Sequence, residues 1–585
     1  MEAYMQRGIP VSPGIAVGRV YVCEGGRDLR HQVEHTTAHD FETEWLRLQD
    51  AARRADRELA KLVEEVRAEL GDAEAAIFES QRAILRDGAV EKEMREILER
   101  GGVSAEKALA SVIEKYGRML GSAHDEYLRA RAADIRDVGQ RSLSILLDED
   151  QDALIAREEH VVAVAREVIP SRLLGLLKQK VAGVVTDRGS RTSHAAILCR
   201  SYGIPAVTGV TQVLDKVSLG DTIALDGSTG EVWVNPDKKV LDELCRRRQE
   251  RSVLWQELAS KKHLPALTKD NVRIHVNANI RIFRDAHTAV AAGAEGVGLF
   301  RTEFMYMNAR NLPDEEEQVS AYRSVIQEIA PNPTTIRTLD LGGDKMPRGL
   351  ETPREPNPFL GLRSIRLSFK RPDVFKTQIR AILRAAESGP TKLMFPLVTT
   401  VDEMKRACDI VEQAKRELKQ EDLPHDPNVP VGLMIEVPAA ALMIESMMAV
   451  ADFASIGTND LIQYVQAADR TNPQLVDLYD ALAPAVLWTI KHVVDGCRKA
   501  GKAVAVCGEM AARPLGVLSL IGLGVRELSV GTSFVPVVKG IIRSLSCKEM
   551  TRLAEKALRL DSGAEIEKMY HDVLMQIAPW AEDVA

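Results

Sequence analysis

Ten consecutive residues, Gly189-Ser190-Arg191-Thr192-Ser193-His194-Ala195-Ala196-Ile197-Leu198, place hydroxyls, one cation and one imidazole behind the β-prone run Ala182–Thr186. The glycine and hydroxyl cluster ends that strand, and Ala195 onward favours helix, so His194 falls at or near a helix N-terminus. Free amides and the helix dipole there favour an anion and disfavour imidazolium, which leaves a neutral nucleophilic nitrogen. A phosphoryl group moved onto His194 would be held by amides, hydroxyls and Arg191.

A second set lies further along. Arg301, Arg337, Asp340, Glu436, Asn459, Asp460 and Cys507 each stand just beyond a short apolar run. Such runs begin near Arg273, Val297, Thr335, Leu393, Gly432, Ala454, Val504 and Glu527, each followed by polar residues and a helical stretch. Eight strands alternating with helices over about 320 residues match a (β/α)8 barrel, whose C-terminal rim holds the active site. Leu360–Arg363 scores as a possible ninth strand.

The elements that position the two sets differ in texture. None of the 25 prolines falls between Gly14 and Ile169, and proline inside a helix costs about 3 kcal/mol. Residues 41–150 therefore read as helices broken at Gly71, Gly88, Gly101-Gly102 and Gly121. The longest expected helix runs Phe41–Leu70, with Trp45, Leu48, Ala52, Leu59, Leu62 and Val63 as its apolar stripe. The runs Ala16–Cys23, His160–Val164, Ala182–Thr186, Thr222–Leu225 and Glu231–Val234 read as strands, with a turn at Asp226-Gly227. The expected organisation is an α/β domain at 1–30 and 151–236, an inserted helical subdomain at 31–150, a linker helix at 237–265 and a barrel at 266–585.

Composition sets the limits. The chain has 585 residues, 45% hydrophobic and 28% charged, with a net charge of −8 that argues against a general nucleic-acid binder. Residues 41–150 hold 25 acidic and 18 basic residues, so nearly all of that charge sits on the helical block. The longest apolar runs, such as Pro514–Val525, fall short of the roughly 20 residues of a membrane span. Seven scattered cysteines without a C-x-x-C pair predict free thiols and a cytoplasmic protein.

The segment from Gly189 through Gly209 resembles the phosphohistidine segment shared by enzyme I of the bacterial phosphotransferase system, pyruvate phosphate dikinase and phosphoenolpyruvate synthase. Gly298–Phe304, Arg337–Lys345, Asn357–Arg363, Gly432–Ala440, Ser455–Gln463 and Val506–Met510 are similar to motifs of the phosphoenolpyruvate barrel in the same enzymes. No ATP-binding region is recognisable among the 193 residues before His194, and Glu126–Leu143 looks like the carrier-docking insertion of enzyme I. The resemblance implies a multidomain α/β fold: a swivelling phosphohistidine domain with an inserted helical bundle, then a C-terminal (β/α)8 TIM barrel binding phosphoenolpyruvate. It implies a phosphotransferase that phosphorylates its own His194, releases pyruvate and passes the phosphoryl group to a histidine of the small phosphocarrier protein HPr. That is the first step of phosphotransferase sugar uptake. The alternatives are a nitrogen-branch enzyme I, whose N-terminal sensory domain is not expected here, and a dikinase or synthase relative without its nucleotide domain. A non-catalytic phosphoenolpyruvate sensor is disfavoured by the intact motifs.

The resemblance also assigns residues. Arg301, Arg337, Arg363 and Arg470 match the family's substrate arginines, and planar, permanently charged donors suit a phosphate and a carboxylate. Asn459 matches a substrate contact. Glu436 and Asp460 match Mg²⁺ ligands, and Mg²⁺ is commonly held by one or two carboxylates plus substrate oxygens and water. Cys507 matches the acid that protonates the pyruvate enolate, a role open to a thiol with a reference pKa near 8.5. Homodimerisation through the barrel is implied. The expected carrier-docking motif is present at Ala75–Glu79, but Arg82 and Arg86 follow where a histidine and acidic residues are usual. Two patterns are set aside. His31, His35 and His39 have helical spacing without an evident further ligand. Gly501-Lys502 lacks the hydroxyl residue and the spacing of a phosphate loop and reads as a turn.

Overall fold

The computed structural model describes residues 4–23, 33, 36–69, 72–121, 126–147, 160–166, 173, 176, 181–189, 194–218, 220–307, 311–342, 349–350, 355–470, 472, 475 and 478–581. At 65, 67–69, 72–77, 121, 126–133, 194, 197 and 201 it describes the backbone alone. The chain divides into two compact units, Met1–Ser252 and Val253–Ala585, and the division falls inside the helix Lys238–Ser260.

The first unit is built on one eight-stranded sheet. Its strands are β1 (Tyr4–Arg7), β2 (Ile9–Ser12), β3 (Ile15–Val22), β4 (Val161–Ala165), β5 (Gly183–Thr186), β6 (Ala206–Thr208), β7 (Thr222–Asp226) and β8 (Glu231–Val234), in the order β1-β8-β7-β3-β4-β5-β6-β2. The central β4 and β5 are buried along their whole length, which explains their unbroken valine and alanine runs. β2 forms an edge, where Pro10 can stand without breaking a ladder between two neighbours.

The helices Phe41–Glu69, Asp72–Leu85, Gly88–Glu99, Ala105–Gly121 and Glu126–Leu146 enter between β3 and β4. The buried stripe of the first is Leu48, Ala51, Ala55, Leu59, Val63 and Val66, at steps of three and four. Of the residues expected there, Trp45, Ala52 and Leu62 only flank that stripe. Leu59, Val63, Val66 and Phe78 pack against Ala163, Leu198 and Cys199 of the α/β core. Leu48 joins Met94, Leu109, Val112 and Leu143 in a second cluster inside the bundle.

The second unit is a closed barrel of eight parallel strands: β10 (Arg273–Ile280), β11 (Val297–Arg301), β12 (Thr334–Arg337), β13 (Thr391–Phe395), β14 (Val431–Ile435), β15 (Phe453–Ile456), β16 (Ala503–Val506) and β17 (Glu527–Gly531). The pairing of β10 with both β11 and β17 closes it. A two-residue strand, β9 (Ala266–Leu267), pairs antiparallel with the start of β10. The ninth run scored in the sequence is not a strand: Pro358–Leu360 forms a single 3₁₀ turn, with proline opening it. Among the described residues, no helix is long and apolar enough to cross a membrane.

Candidate active site

In the first unit, β5 leads toward the helix His194–Tyr202, and His194 is the first residue of that helix. Its side chain lies outside the described residues, as do residues 190–193. The end of β5 and the residues after it as far as Gly189 are tied to β6. Thr186 Oγ1 donates to Thr208 Oγ1 at 2.7 Å, and Thr208 Oγ1 donates to the Arg188 carbonyl at 3.0 Å. Gly189 has φ +141°, and a Cβ there would strike Thr208 Oγ1, so this position requires glycine. Ala196, Leu198 and Cys199 bury the inner face of the helix in the α/β core. Of the two patterns set aside, His31 and His35 lie outside the described residues, while His39 is exposed. Gly501 makes a left-handed turn at φ +65° beyond the helix Pro484–Lys499.

In the second unit, the chemistry-bearing residues gather where the strands end. Arg301 and Arg337 are the last residues of β11 and β12, and Glu436 and Cys507 follow β14 and β16 directly. Asn459 and Asp460 open the helix Thr458–Gln466 behind β15. Strand order therefore brings together groups up to about 200 positions apart in sequence.

The charges form one linked network. Arg337 Nη2 lies 2.8 Å from Glu303 Oε1, and Arg337 Nη1 lies 3.1 Å from Asp340 Oδ2. Arg363 Nη2 reaches both Asp340 Oδ1 at 2.9 Å and Asp460 Oδ2 at 3.1 Å. Arg470 Nη2 is 3.0 Å from Asp460 Oδ1. Asn459 turns to Glu509: its Nδ2 donates to Glu509 Oε1 at 3.0 Å, and the Glu509 amide returns a bond to its Oδ1 at 2.8 Å.

Burial and charge act against each other here. Burial disfavours the charged forms of Arg337 and Arg363, but the surrounding carboxylates outweigh it and raise both. Asp340 is likewise opposed by burial, yet Arg337 and Arg363 hold it well below the usual carboxylate range. Glu436 goes the other way. Burial, Asp460 and Asp340 push it up, against the pull of Arg337 and Arg363. Burial also raises the Cys507 thiol, which sits among Leu299, Met394, Met434 and Phe453 with its Sγ 3.7 Å from the Ile456 carbonyl.

Three guanidinium groups each keep a buried nitrogen without a hydrogen-bond acceptor among the described residues: Arg301 Nε, Arg337 Nε and Arg363 Nη1. Unsatisfied buried donors of positive groups at one rim mark a place for an anion with several oxygens. A divalent cation fits beside them. Glu436 and Asp460 offer hard carboxylate oxygens, and Gly457 leaves open the space where a Cβ would stand 2.9 Å from Glu436 Oε2. Among the described residues no three His, Cys, Asp or Glu side chains converge to hold a metal unaided, so a cation here would need further ligands from substrate or water.

Three family profiles match the chain in order. They are PEP-utilising enzyme, N-terminal, over residues 7–131; PEP-utilising enzyme, mobile domain, over 157–230; and PEP-utilising enzyme, PEP-binding domain, over 255–547. A phosphoenolpyruvate-protein phosphotransferase of Haemophilus influenzae is 38% identical over 572 residues, covering 98% of this chain and 99% of that relative. The chain belongs to the phosphoenolpyruvate-protein phosphotransferase family. The phosphoenolpyruvate-protein phosphotransferase of Geobacillus stearothermophilus is 39% identical over 559 residues, 96% of each chain. A solution structure of Enzyme I is 32% identical over 42% of this chain and 99% of its own, with a TM-score of 0.33.

Seen within this phosphotransferase family, the rim contains more than the sequence reading assigned. Glu303 accepts both Arg337 Nη2 and, at 3.0 Å, the Asp340 amide. Asp340, read in the sequence only as a strand-end carboxylate, joins Arg337 to Arg363. Two non-glycine residues adopt left-handed backbone at the rim. Leu397, at φ +52°, donates its amide to Glu436 Oε1 at 2.6 Å. Ser364, at φ +53°, places its hydroxyl against Asp340 Oδ1. Such backbone costs of order 1–3 kcal/mol per residue and persists where the surroundings impose it. The signal for Glu303 was present in Gly298–Phe304, but its partner could be named only from the fold.

Proposed function

We propose that this chain takes the phosphoryl group of phosphoenolpyruvate onto His194, releases pyruvate, and passes the phosphoryl group to a histidine of the phosphocarrier protein HPr. The observation that carries this reading is the rim of the barrel. Arginines with unsatisfied buried donors, two carboxylates and a buried thiol converge there, in a chain that belongs to the phosphoenolpyruvate-protein phosphotransferases.

Arg301, Arg337 and Arg363 bind the phosphate and carboxylate of the substrate, and Arg470 closes on it from the helix side. Glu436 and Asp460 would hold Mg²⁺ together with substrate oxygens and water, and the bound ion would supply neutralisation of phosphate charge. The bond between phosphorus and the enol oxygen breaks as the bond to the His194 imidazole nitrogen forms. The electron pair left on the enolate takes the Cys507 proton at C3, giving pyruvate, and the thiolate regains a proton from solvent. The raised pKa of Cys507 suits an acid that must be protonated at neutral pH. Asn459 acts on the substrate phosphate once its contact with Glu509 is exchanged. His194 belongs to the first unit and the rim to the second, so this reading requires the α/β domain to move between barrel and carrier.

The inserted bundle is the carrier-docking part in this reading. The barrel pairs with a second copy. Leu442 and Trp488, 75% and 55% exposed on the helices Pro438–Leu442 and Pro484–Lys499, supply apolar surface for that contact. The test is incubation with phosphoenolpyruvate and Mg²⁺, followed by addition of HPr or of nucleotide. Pyruvate release with transfer to HPr is expected. Transfer to a nucleotide instead would favour a dikinase-like activity.

A further inference from the structure

Gln378 sits on the outer helix Pro372–Ala385 and is 1% exposed. The transfer chemistry does not use it. Yet its amide is fully engaged, joining the two strand ends that carry Arg301 and Arg337 to the helix Glu315–Ile329. Its Oε1 accepts the Leu339 amide at 2.9 Å. Its Nε2 donates to Thr302 Oγ1 at 3.0 Å and to the Tyr322 hydroxyl at 3.1 Å. Thr302 Oγ1 then donates to the Arg337 carbonyl at 3.0 Å. Thr302 stands between Arg301 and Glu303, and Leu339 directly precedes Asp340.

The remaining members fix the direction of this chain. The Tyr322 hydroxyl gives its proton to Gln318 Oε1 at 3.1 Å, as does the Tyr306 hydroxyl, while Gln318 Nε2 donates to the Pro313 carbonyl at 3.0 Å. Both protons of the Gln378 amide and the one proton of Thr302 thus have a single destination each. Thr302, Gln318 and Tyr322 are wholly buried, with Tyr306 nearly so. A buried polar network is costly unless every member is satisfied, and one satisfied in a single arrangement imposes that arrangement.

We infer that Gln378 and Thr302 are positioning residues that set the spacing of Arg301 and Arg337 through the relay from Gln378 to Thr302 to the Arg337 carbonyl. The inference rests on the reading that those arginines bind phosphoenolpyruvate. It concerns residues outside the set that this reading assigns to substrate or metal.

The test compares Thr302→Val, which keeps shape and removes the hydroxyl, with Thr302→Ser, which keeps the hydroxyl, and with Gln378→Met. Each full-length variant is assayed for pyruvate formation against phosphoenolpyruvate concentration. Phosphoryl transfer from phosphorylated HPr back to His194, which does not use the barrel, reports that the first unit is intact. Thr302→Val and Gln378→Met should each raise KM for phosphoenolpyruvate about tenfold, with kcat changed less, and Thr302→Ser should keep the wild-type KM. The double variant should be no worse than the worse single one, since both break one relay. A wild-type KM in Thr302→Val, whatever its melting temperature, would overturn the inference, and so would losses that multiply in the double variant. If Gln378→Met does not fold, the two Thr302 variants decide. A wild-type protein that gains no phosphoryl group from phosphoenolpyruvate contradicts the functional reading itself. An active wild type beside an unaffected Thr302→Val contradicts only the inference.

Discussion

Arg363 Nη2 lies 3.1 Å from Asp460 Oδ2, so an arginine assigned to the substrate is also the counterion of a carboxylate assigned to the metal. With those roles, occupancy at one should change the other. A cation on Asp460 would release Arg363 toward the substrate phosphate, and by linkage the substrate would strengthen cation binding. Titration calorimetry should show phosphoenolpyruvate binding about 5- to 150-fold weaker without Mg²⁺, the usual range for coupled sites. In Asp460→Asn that Mg²⁺ dependence should vanish. Equal substrate affinity with and without the ion in the wild-type protein would contradict the coupling.

Cys507→Ala should slow pyruvate formation by about 10²–10⁴-fold, the usual contribution of a general acid, while substrate affinity changes little. Transfer from phosphorylated HPr to His194 should be spared, because it involves no carbon protonation. Burial raises the thiol, so its protonated, active form persists to higher pH than in an ordinary cysteine. Loss of pyruvate formation through Cys507 ionisation should therefore begin above about pH 8.5, the reference value. A decline on the alkaline side beginning below that, absent from Cys507→Ala, would show that the thiol is not raised.

The arginines that depart from the family's docking pattern are not equivalent. Arg82 Nε lies 2.9 Å from Asp56 Oδ1 and Arg86 Nη2 lies 2.7 Å from Asp56 Oδ2, joining the helices Phe41–Glu69 and Asp72–Leu85. Arg82 is 26% exposed and Arg86 61%. Arg82→Ala should lower the stability of the first unit by up to about 1 kcal/mol. Burial would raise Asp56, but the two arginines hold it below its ordinary value. The pairing therefore stabilises above the usual carboxylate range and is lost as the pH falls through the lowered value. Arg86→Glu should leave the fold in place. It should speed transfer to a carrier with a basic docking rim, most clearly at low salt. Transfer rates unchanged at both low and high salt would place Arg86 outside the docking face.

Much of the candidate site's placement was legible, because barrels put function at strand ends. Arg301, Arg337, Glu436 and Cys507 follow apolar runs that become β11, β12, β14 and β16, and the eight expected starts fall within two residues of the observed ones. β1, β2 and β6 went unread. They are three or four residues long, and β2 contains a proline, so neither alternation nor β-propensity had length enough to register. Arg363 was placed on a candidate strand that is instead a 3₁₀ turn followed by the helix Ser364–Lys370. The roles of Glu303, Asp340 and Gln378 could not be read, because each is defined by a partner on another strand or helix. The left-handed backbone at Leu397 and Ser364 carries no sequence signal, since neither is glycine or asparagine.

The central claim is that His194 receives the phosphoryl group of phosphoenolpyruvate. Intact-mass measurement of the wild-type protein and of His194→Ala, after incubation with phosphoenolpyruvate and Mg²⁺, tests it most directly. The wild-type protein should gain one acid-labile phosphoryl group, with one pyruvate released for each. His194→Ala should gain none, while binding phosphoenolpyruvate with nearly wild-type affinity, because acceptor and substrate site lie in different units. An acid-labile phosphoryl group on His194→Ala, or none on the wild-type protein, would contradict the account.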